Sequence, residues 1–163
     1  AHYQVINSAL AINILEYIRK EFPFKDSDLE KGMHEAIWEG RFETISSDPL
    51  IIVDGAHNKE GMEAFFESAR NFKNIKVIFS ALKDKDTHHM LEILLFLTND
   101  VTVTEFDHVR RATAKQLAED FPVKIDENWQ HAVDEAYNHK GVVFITGSLY
   151  FISKVRQYIL TKK

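Results

Sequence analysis

Asp54 and His57 stand three residues apart in Ile51-Ile52-Val53-Asp54-Gly55-Ala56-His57-Asn58, where an apolar run opens into polar residues ahead of a helical pattern. A carboxylate and an imidazole at the end of a buried strand could bind a ribose hydroxyl, orient a phosphate or move a proton. Gly55 and Ala56 leave the backbone between them approachable by a ligand. A plainer account fits the same residues: an Asx-type turn, a helix cap and a solvated histidine. A second polar strand end is Ile145-Thr146-Gly147-Ser148-Leu149, in which Ser148 would open a helix. A hydroxyl at a helix N-terminus suits a carboxylate or a phosphate, although serine is also an ordinary cap. The third, Phe79-Ser80-Ala81-Leu82-Lys83-Asp84-Lys85-Asp86, carries a charge cluster that reads first as solvated loop charge.

Other residue sets carry less. His88 and His89 are adjacent, so on a helix their side chains diverge and do not readily share a metal ion; surface histidines are the better account. Phe65, Phe66 and Phe72 fall on a helical stripe that belongs in a core. The sequence has neither HExxH nor GxSxG, and Gly55 to Gly61 is not the dinucleotide GxGxxG. None of the six glycines is followed by lysine, so a GxxxxGK[ST] phosphate loop is absent from these residues.

The elements that must position the polar strand ends can be read from periodicity. Ile6, Leu10, Ile14, Tyr17 and Ile18 recur at helical spacing between Tyr3 and Phe22, with Ala9, Ile12 and Leu15 on a neighbouring face; Pro23 stops this helix. Asp26-Ser27-Asp28 offers a cap for a second helix to about Ile37. Beyond Gly40 strands and helices alternate. Strands are expected at Arg41 to Ile45, Leu50 to Val53, Ile75 to Phe79, Val101 to Phe106, Val123 to Ile125 and Val142 to Thr146. Helices are expected after Asn58, from Thr87 to Leu97, from Thr113 to Glu119, around Trp129 to Tyr137 and from Leu149 to Leu160. Such alternation predicts an α/β fold: a mostly parallel sheet with helices on both faces and ligands outside the carboxyl ends of its strands. The short turn at Ser47-Asp48-Pro49 makes the first strand an antiparallel neighbour of the second.

Composition limits the function classes. At 163 residues and 45% hydrophobic, the chain is the size of one domain with a short appendage and can bury a core unaided. It has no cysteine, hence no disulfide framework and no thiolate zinc site. A net charge of −5 with interspersed Lys and Arg gives no basic stripe for nucleic acid. No apolar run approaches the roughly 20 residues that span a bilayer, so no membrane role is expected and a cytoplasmic location is the default. Ala1-His2-Tyr3-Gln4 lacks an initiating Met and a leader, which predicts that the chain begins inside a longer protein.

Trp38-Glu39-Gly40-Arg41-Phe42-Glu43, succeeded closely by Asp48-Pro49 and the Leu50 to Asn58 stretch, resembles the signature of the folylpolyglutamate synthases, ATP-dependent ligases of the Mur ligase superfamily. Ala81 to Asp86, Val109-Arg110-Arg111-Ala112 and Thr146-Gly147-Ser148-Leu149-Tyr150 agree in order, and Gln4-Val5-Ile6-Asn7-Ser8-Ala9 resembles a segment at the end of that family's central ATPase domain. The resemblance implies a Rossmann-like C-terminal domain over 38–163, with 1–37 as the helical end of the central domain and its linker. It implies an ATP- and Mg2+-dependent reaction that joins glutamate to the γ-carboxylate of a folate through an acyl phosphate. By resemblance Arg41 meets the ATP phosphates, Asp54 the nucleotide, His57 the transferred phosphate or the incoming L-glutamate, and Ser148 the glutamate carboxylate. Gln4 and Asn7 look like adenine-side contacts.

Metal ligands are expected outside this chain, in the central ATPase domain it would need as its partner. The chain alone is therefore expected to be inactive, and monomeric. The expected convergence is Asp54, His57 and Ser148 on one rim of the sheet, with Arg41 in salt-bridge reach of Asp54 or in the same cleft. Two other readings are a Mur-type ligase of peptidoglycan precursors and a non-catalytic α/β binding module.

Overall fold

The computed structural model describes residues 2–162, which form two compact units divided between Glu39 and Gly40. In the first unit α1 spans His2–Ile18 and α2 spans Asp26–Glu35. Apolar periodicity carries the first helix to Phe22, but it ends at Ile18, whose carbonyl then accepts from the amides of Glu21 and Phe22 at 3.0 and 2.9 Å. A helix continuing into Pro23 would drive the proline ring against the Arg19 carbonyl, so the chain closes a turn earlier. Arg19 ties the two helices together, 2.6 Å from both Glu16 and Asp26, with its guanidinium 4.5 Å above the Phe24 ring. Asp28 accepts the Lys25 amide at 3.0 Å and so caps α2 from inside its first turn.

The second unit is the predicted α/β fold. Its strands are β1 (Glu43–Ser47), β2 (Leu50–Asp54), β3 (Ile75–Phe79), β4 (Val101–Val103), β5 (Lys124–Ile125) and β6 (Val142–Thr146). Their order across the sheet is β1-β2-β6-β3-β4-β5, with β1 antiparallel to β2 and every other pair parallel. The helices are α3 (Lys59–Ala69), α4 (Thr87–Leu97), α5 (Ala114–Ala118), α6 (Trp129–Ala136) and α7 (Leu149–Thr161).

Both faces of the central strands are covered, which is why β2, β3 and β6 read as unbroken apolar runs. Ile52, Val77, Phe79 and Phe144 pack with α3, α4 and α5. Ile51, Val53, Ile78, Val143 and Ile145 pack with α6 and α7. Each large side chain buried in this way stabilises the unit by about 1.5–3 kcal/mol.

The first strand begins at Glu43 rather than Arg41 because Phe42 takes a left-handed backbone, φ 49°. That turn sends the Phe42 ring inward, 5.6 Å from Phe144 and 6.1 Å from Phe65, and the aromatic packing offsets the strain. The fourth strand stops at Val103, short of the expected Phe106, and the fifth is reduced to Lys124–Ile125, the sheet's edge.

Candidate functional site

Parallel pairing of β2 with β6 places Asp54 opposite Thr146, so two strand ends 92 positions apart leave the sheet side by side. A glycine sets the path of the chain beyond each end. Gly147 has φ 114°, a conformation that a residue with a Cβ rarely adopts, and an added methyl would strike the Ser80 carbonyl oxygen. The chain therefore turns sharply from β6 into α7. Ser148 caps that helix in extended conformation, and its hydroxyl makes no capping bond. After β2, a side chain at Gly55 would strike Leu149, so α7 sits tight against this loop.

Asp54 is buried at 2% exposure, and both its oxygens organise the backbone. Oδ1 accepts the Ala56 amide and Oδ2 the Phe42 amide, each at 2.8 Å. The Ala56 bond is the Asx-type turn foreseen in the plainer account, while the Phe42 bond reaches across to the segment before β1. His57 stands half-buried one residue beyond Ala56, its Nδ1 2.8 Å from the Gly55 carbonyl oxygen. A carbonyl only accepts, so Nδ1 carries the proton and the lone pair of the neutral ring lies on Nε2. Asn58 then caps α3 through the Gly61 amide at 2.9 Å.

Between these loops lies a cleft of about 440 Å³ whose lining includes His57, Leu82, Lys85, Arg110, Ser148 and Tyr150. It brings together His57 and Ser148. It also draws in two cations, Lys85 from the loop read as solvated charge and Arg110 from a segment singled out only by its family resemblance. Lys83 donates its amide to the Arg110 carbonyl at 2.9 Å, Ala112 donates to Ala81 at 3.0 Å, and Leu82 bridges Arg111. This stitch lays the 81–86 loop beside the 109–112 loop. Lys85 and Arg110 share one loosely held counter-charge, Asp84, at 3.8 and 3.6 Å. Tyr150, half-exposed in the lining, packs its ring at a tilt against His108, 4.8 Å between centroids. Two cations, an imidazole, a hydroxyl and the positive end of a 13-residue helix suit an anionic ligand, a carboxylate or a phosphate.

Arg41 and Asp54 are not part of that lining. Arg41 is half-buried and directly precedes Phe42, whose amide Asp54 holds. Gln4 and Asn7 lie on α1 in the first unit, linked to each other by an Asn7 side-chain bond of 3.2 Å. Among the described residues no group of three or more His, Cys, Asp or Glu could hold a metal ion, so no step through magnesium is assigned to this chain. No described helix is long and apolar enough to cross a membrane.

An α/β sheet with an anion-receptive cleft outside its carboxyl edge is the architecture of a ligand-binding or ligase domain, and similarity to known proteins narrows the choice. The chain belongs to the Mur ligase family: its residues 40–149 match the Mur ligase, glutamate ligase domain. The dihydrofolate synthase/folylpolyglutamate synthase of Bacillus subtilis (strain 168) is 36% identical over 167 residues, covering 95% of this chain and 39% of that protein. The crystal structure of the bifunctional folylpolyglutamate synthase/dihydrofolate synthase from Yersinia pestis CO92 superposes with a TM-score of 0.87 at 26% identity, over 96% of this chain and 39% of that one. A structure of such a bifunctional enzyme with Mn, AMPPNP and L-glutamate bound gives a TM-score of 0.83 at 26% identity, again covering 96% of this chain and 39% of that one. The chain thus spans about two fifths of the length of these relatives.

Proposed function

We propose that this chain is the C-terminal part of an ATP-dependent ligase that adds glutamate to the γ-carboxylate of folates, and that the cleft between the β2 and β6 ends receives the incoming glutamate. The observation that carries this reading is the meeting of His57 and Ser148 with Lys85 and Arg110 in one cleft. Glutamate is a dicarboxylate, and two cations with a helix N-terminus provide for two anionic ends. The kinship with folylpolyglutamate synthases, and the glutamate bound in one related structure, support the same assignment.

In the proposed reaction ATP gives its γ-phosphoryl group to the folate carboxylate oxygen, which turns a poor electrophile into an acyl phosphate. The amine of glutamate then attacks the acyl carbon, phosphate leaves with the C–O bond electrons, and the amine loses a proton. His57, with Nδ1–H committed to Gly55, offers Nε2 on this side of the site to orient the amine or take that proton. Arg41 is assigned to the ATP phosphates and Asp54 to the nucleotide side, where its hold on Phe42 fixes the residue after Arg41. Gln4 and Asn7 are assigned to the adenine side. The phosphate cradle and the magnesium ligands belong, on this reading, to the remaining part of a longer protein, so the chain alone should not turn over ATP.

The test is made in the intact ligase. His57→Ala and Asp54→Ala should each lower turnover by at least about tenfold, close to 1.4 kcal/mol of barrier, while circular dichroism stays that of the folded protein. Near-normal turnover in both would remove the assignment.

A further inference from the structure

Arg41 lies within a short span, Gly40 to Glu43, whose shape is unusual. Gly40 has φ 70° and Phe42 φ 49°, so two of its four residues take the left-handed conformation. For a phenylalanine that state is strained and persists only where surrounding structure enforces it. The enforcing contacts are identifiable. The Gly55 amide donates to the Gly40 carbonyl at 2.8 Å, and the Phe42 amide donates to Asp54 at 2.8 Å. At the far end Glu43 accepts from Arg156 Nε of α7 through both oxygens, at 2.9 and 3.0 Å, and its Oε2 also accepts the Gly40 amide at 2.7 Å.

The Glu43 carboxylate is 16% exposed and the Arg156 side chain 24%. An ion pair serving only to dock α7 on β1 would have no need of the Gly40 amide. Here the carboxylate that Arg156 orients also closes the loop on itself, bracketing Arg41 from both sides. Arg41 is left half-buried, and among the described residues its side chain shows no hydrogen bond or ion pair.

We propose that Glu43 and Arg156 are positioning residues for Arg41: the α7–β1 ion pair, acting through the Gly40 amide, sets the loop that presents the Arg41 guanidinium to the nucleotide phosphates. The proposal rests on the reading of Arg41 as a phosphate contact, and the test separates the two. In the intact ligase, initial rates are measured against ATP and against glutamate for Arg41→Ala, Glu43→Gln and the double variant. Arg41→Ala should raise KM for ATP by about tenfold. Glu43→Gln should raise it by about fivefold, leave KM for glutamate unchanged, and add nothing in the Arg41→Ala background.

An effect of Glu43→Gln that multiplies with that of Arg41→Ala, or its absence where Arg41→Ala is impaired, overturns the positioning role and leaves the Arg41 reading standing. A normal KM for ATP in Arg41→Ala removes both. Should Glu43→Gln fail to fold, Arg156→Lys, which keeps the charge but not the Nε donor, carries the same cycle with the same expected and overturning results.

Discussion

The two edges of the sheet carry similar residue types and use them in opposite ways. At the amino edge, beside a cavity of about 400 Å³, Asp100 is held by Lys124 at 2.8 Å and by Lys76 at 3.4 Å. Thr98 bonds the Ile75 carbonyl and accepts the Asp100 amide, while the Asn74 side chain donates to the Lys140 carbonyl. Those groups satisfy one another. At the carboxyl edge Lys85 and Arg110 divide a single distant carboxylate, Ser148 makes no capping bond and His57 keeps Nε2 uncommitted by its bond to Gly55. Polar residues at both edges look alike in the sequence; what separates scaffold from site is how far the fold has already paired them.

The largest expected effect tests the carboxyl edge. Replacing Lys85 and Arg110 together by alanine should raise KM for glutamate by at least about tenfold, since a hydrogen bond to a charged group contributes about 1.5–3 kcal/mol. The melting temperature should move by no more than about 2 °C, because the pair braces little else. A large loss of stability with KM unchanged would make that edge scaffold too.

Asp100→Asn should do the reverse, with unchanged kinetics and a changed acid limb of stability. Burial opposes ionisation of Asp100, but the hydrogen bonds and charges of Lys124 and Lys76 outweigh it and hold its carboxyl below the usual range. A depressed carboxylate contributes stability above its unfolded pKa, and that contribution is lost as pH falls through the folded pKa. Denaturant midpoints collected down the acid range should therefore converge for wild type and Asp100→Asn at the lowest pH and separate above it.

The smallest effect lies just beyond the end of β5, outside the cleft lining, where His131 pairs with Asp126 at 2.6 Å. A hydrogen bond to Asp126, then the charge of that carboxylate, raises the His131 pKa. This pair contributes fully below the unfolded histidine pKa and fades as pH rises through the folded one. Proton resonances of the His131 ring should titrate above the ordinary histidine range, and Asp126→Asn should bring them back to it with turnover unaffected.

Much of this is legible in the sequence because it depends on local chemistry. β2, β3 and β6 announce themselves as apolar runs because both their faces are covered, and Asn58 caps α3 as its side chain and position suggest. The convergence of His57 with Ser148 is implied by the parallel pairing of their strands. Arg41 reads as a strand residue because nothing in Arg41-Phe42-Glu43 signals a left-handed phenylalanine; the reason lies in Phe65, Phe72 and Phe144, far along the chain. Lys85 and Arg110 escape for the same kind of reason. Lys85 looks like solvated charge, and the segment of Arg110 stands out only by its family resemblance; that the 81–83 and 110–112 segments pair is a contact that no local pattern announces.

The stitch between those segments has a consequence for how the domain can vary. Its bonds are backbone bonds, from Lys83 to Arg110 and from Ala112 to Ala81, indifferent to which side chains the residues carry but not to how many residues there are. One residue inserted within either segment would slide Lys85 past Arg110 and dissolve the paired cations, whereas a change of length outside the two segments leaves the stitch itself in register. The domain should thus tolerate drift in spelling at the stitch and drift in length away from it.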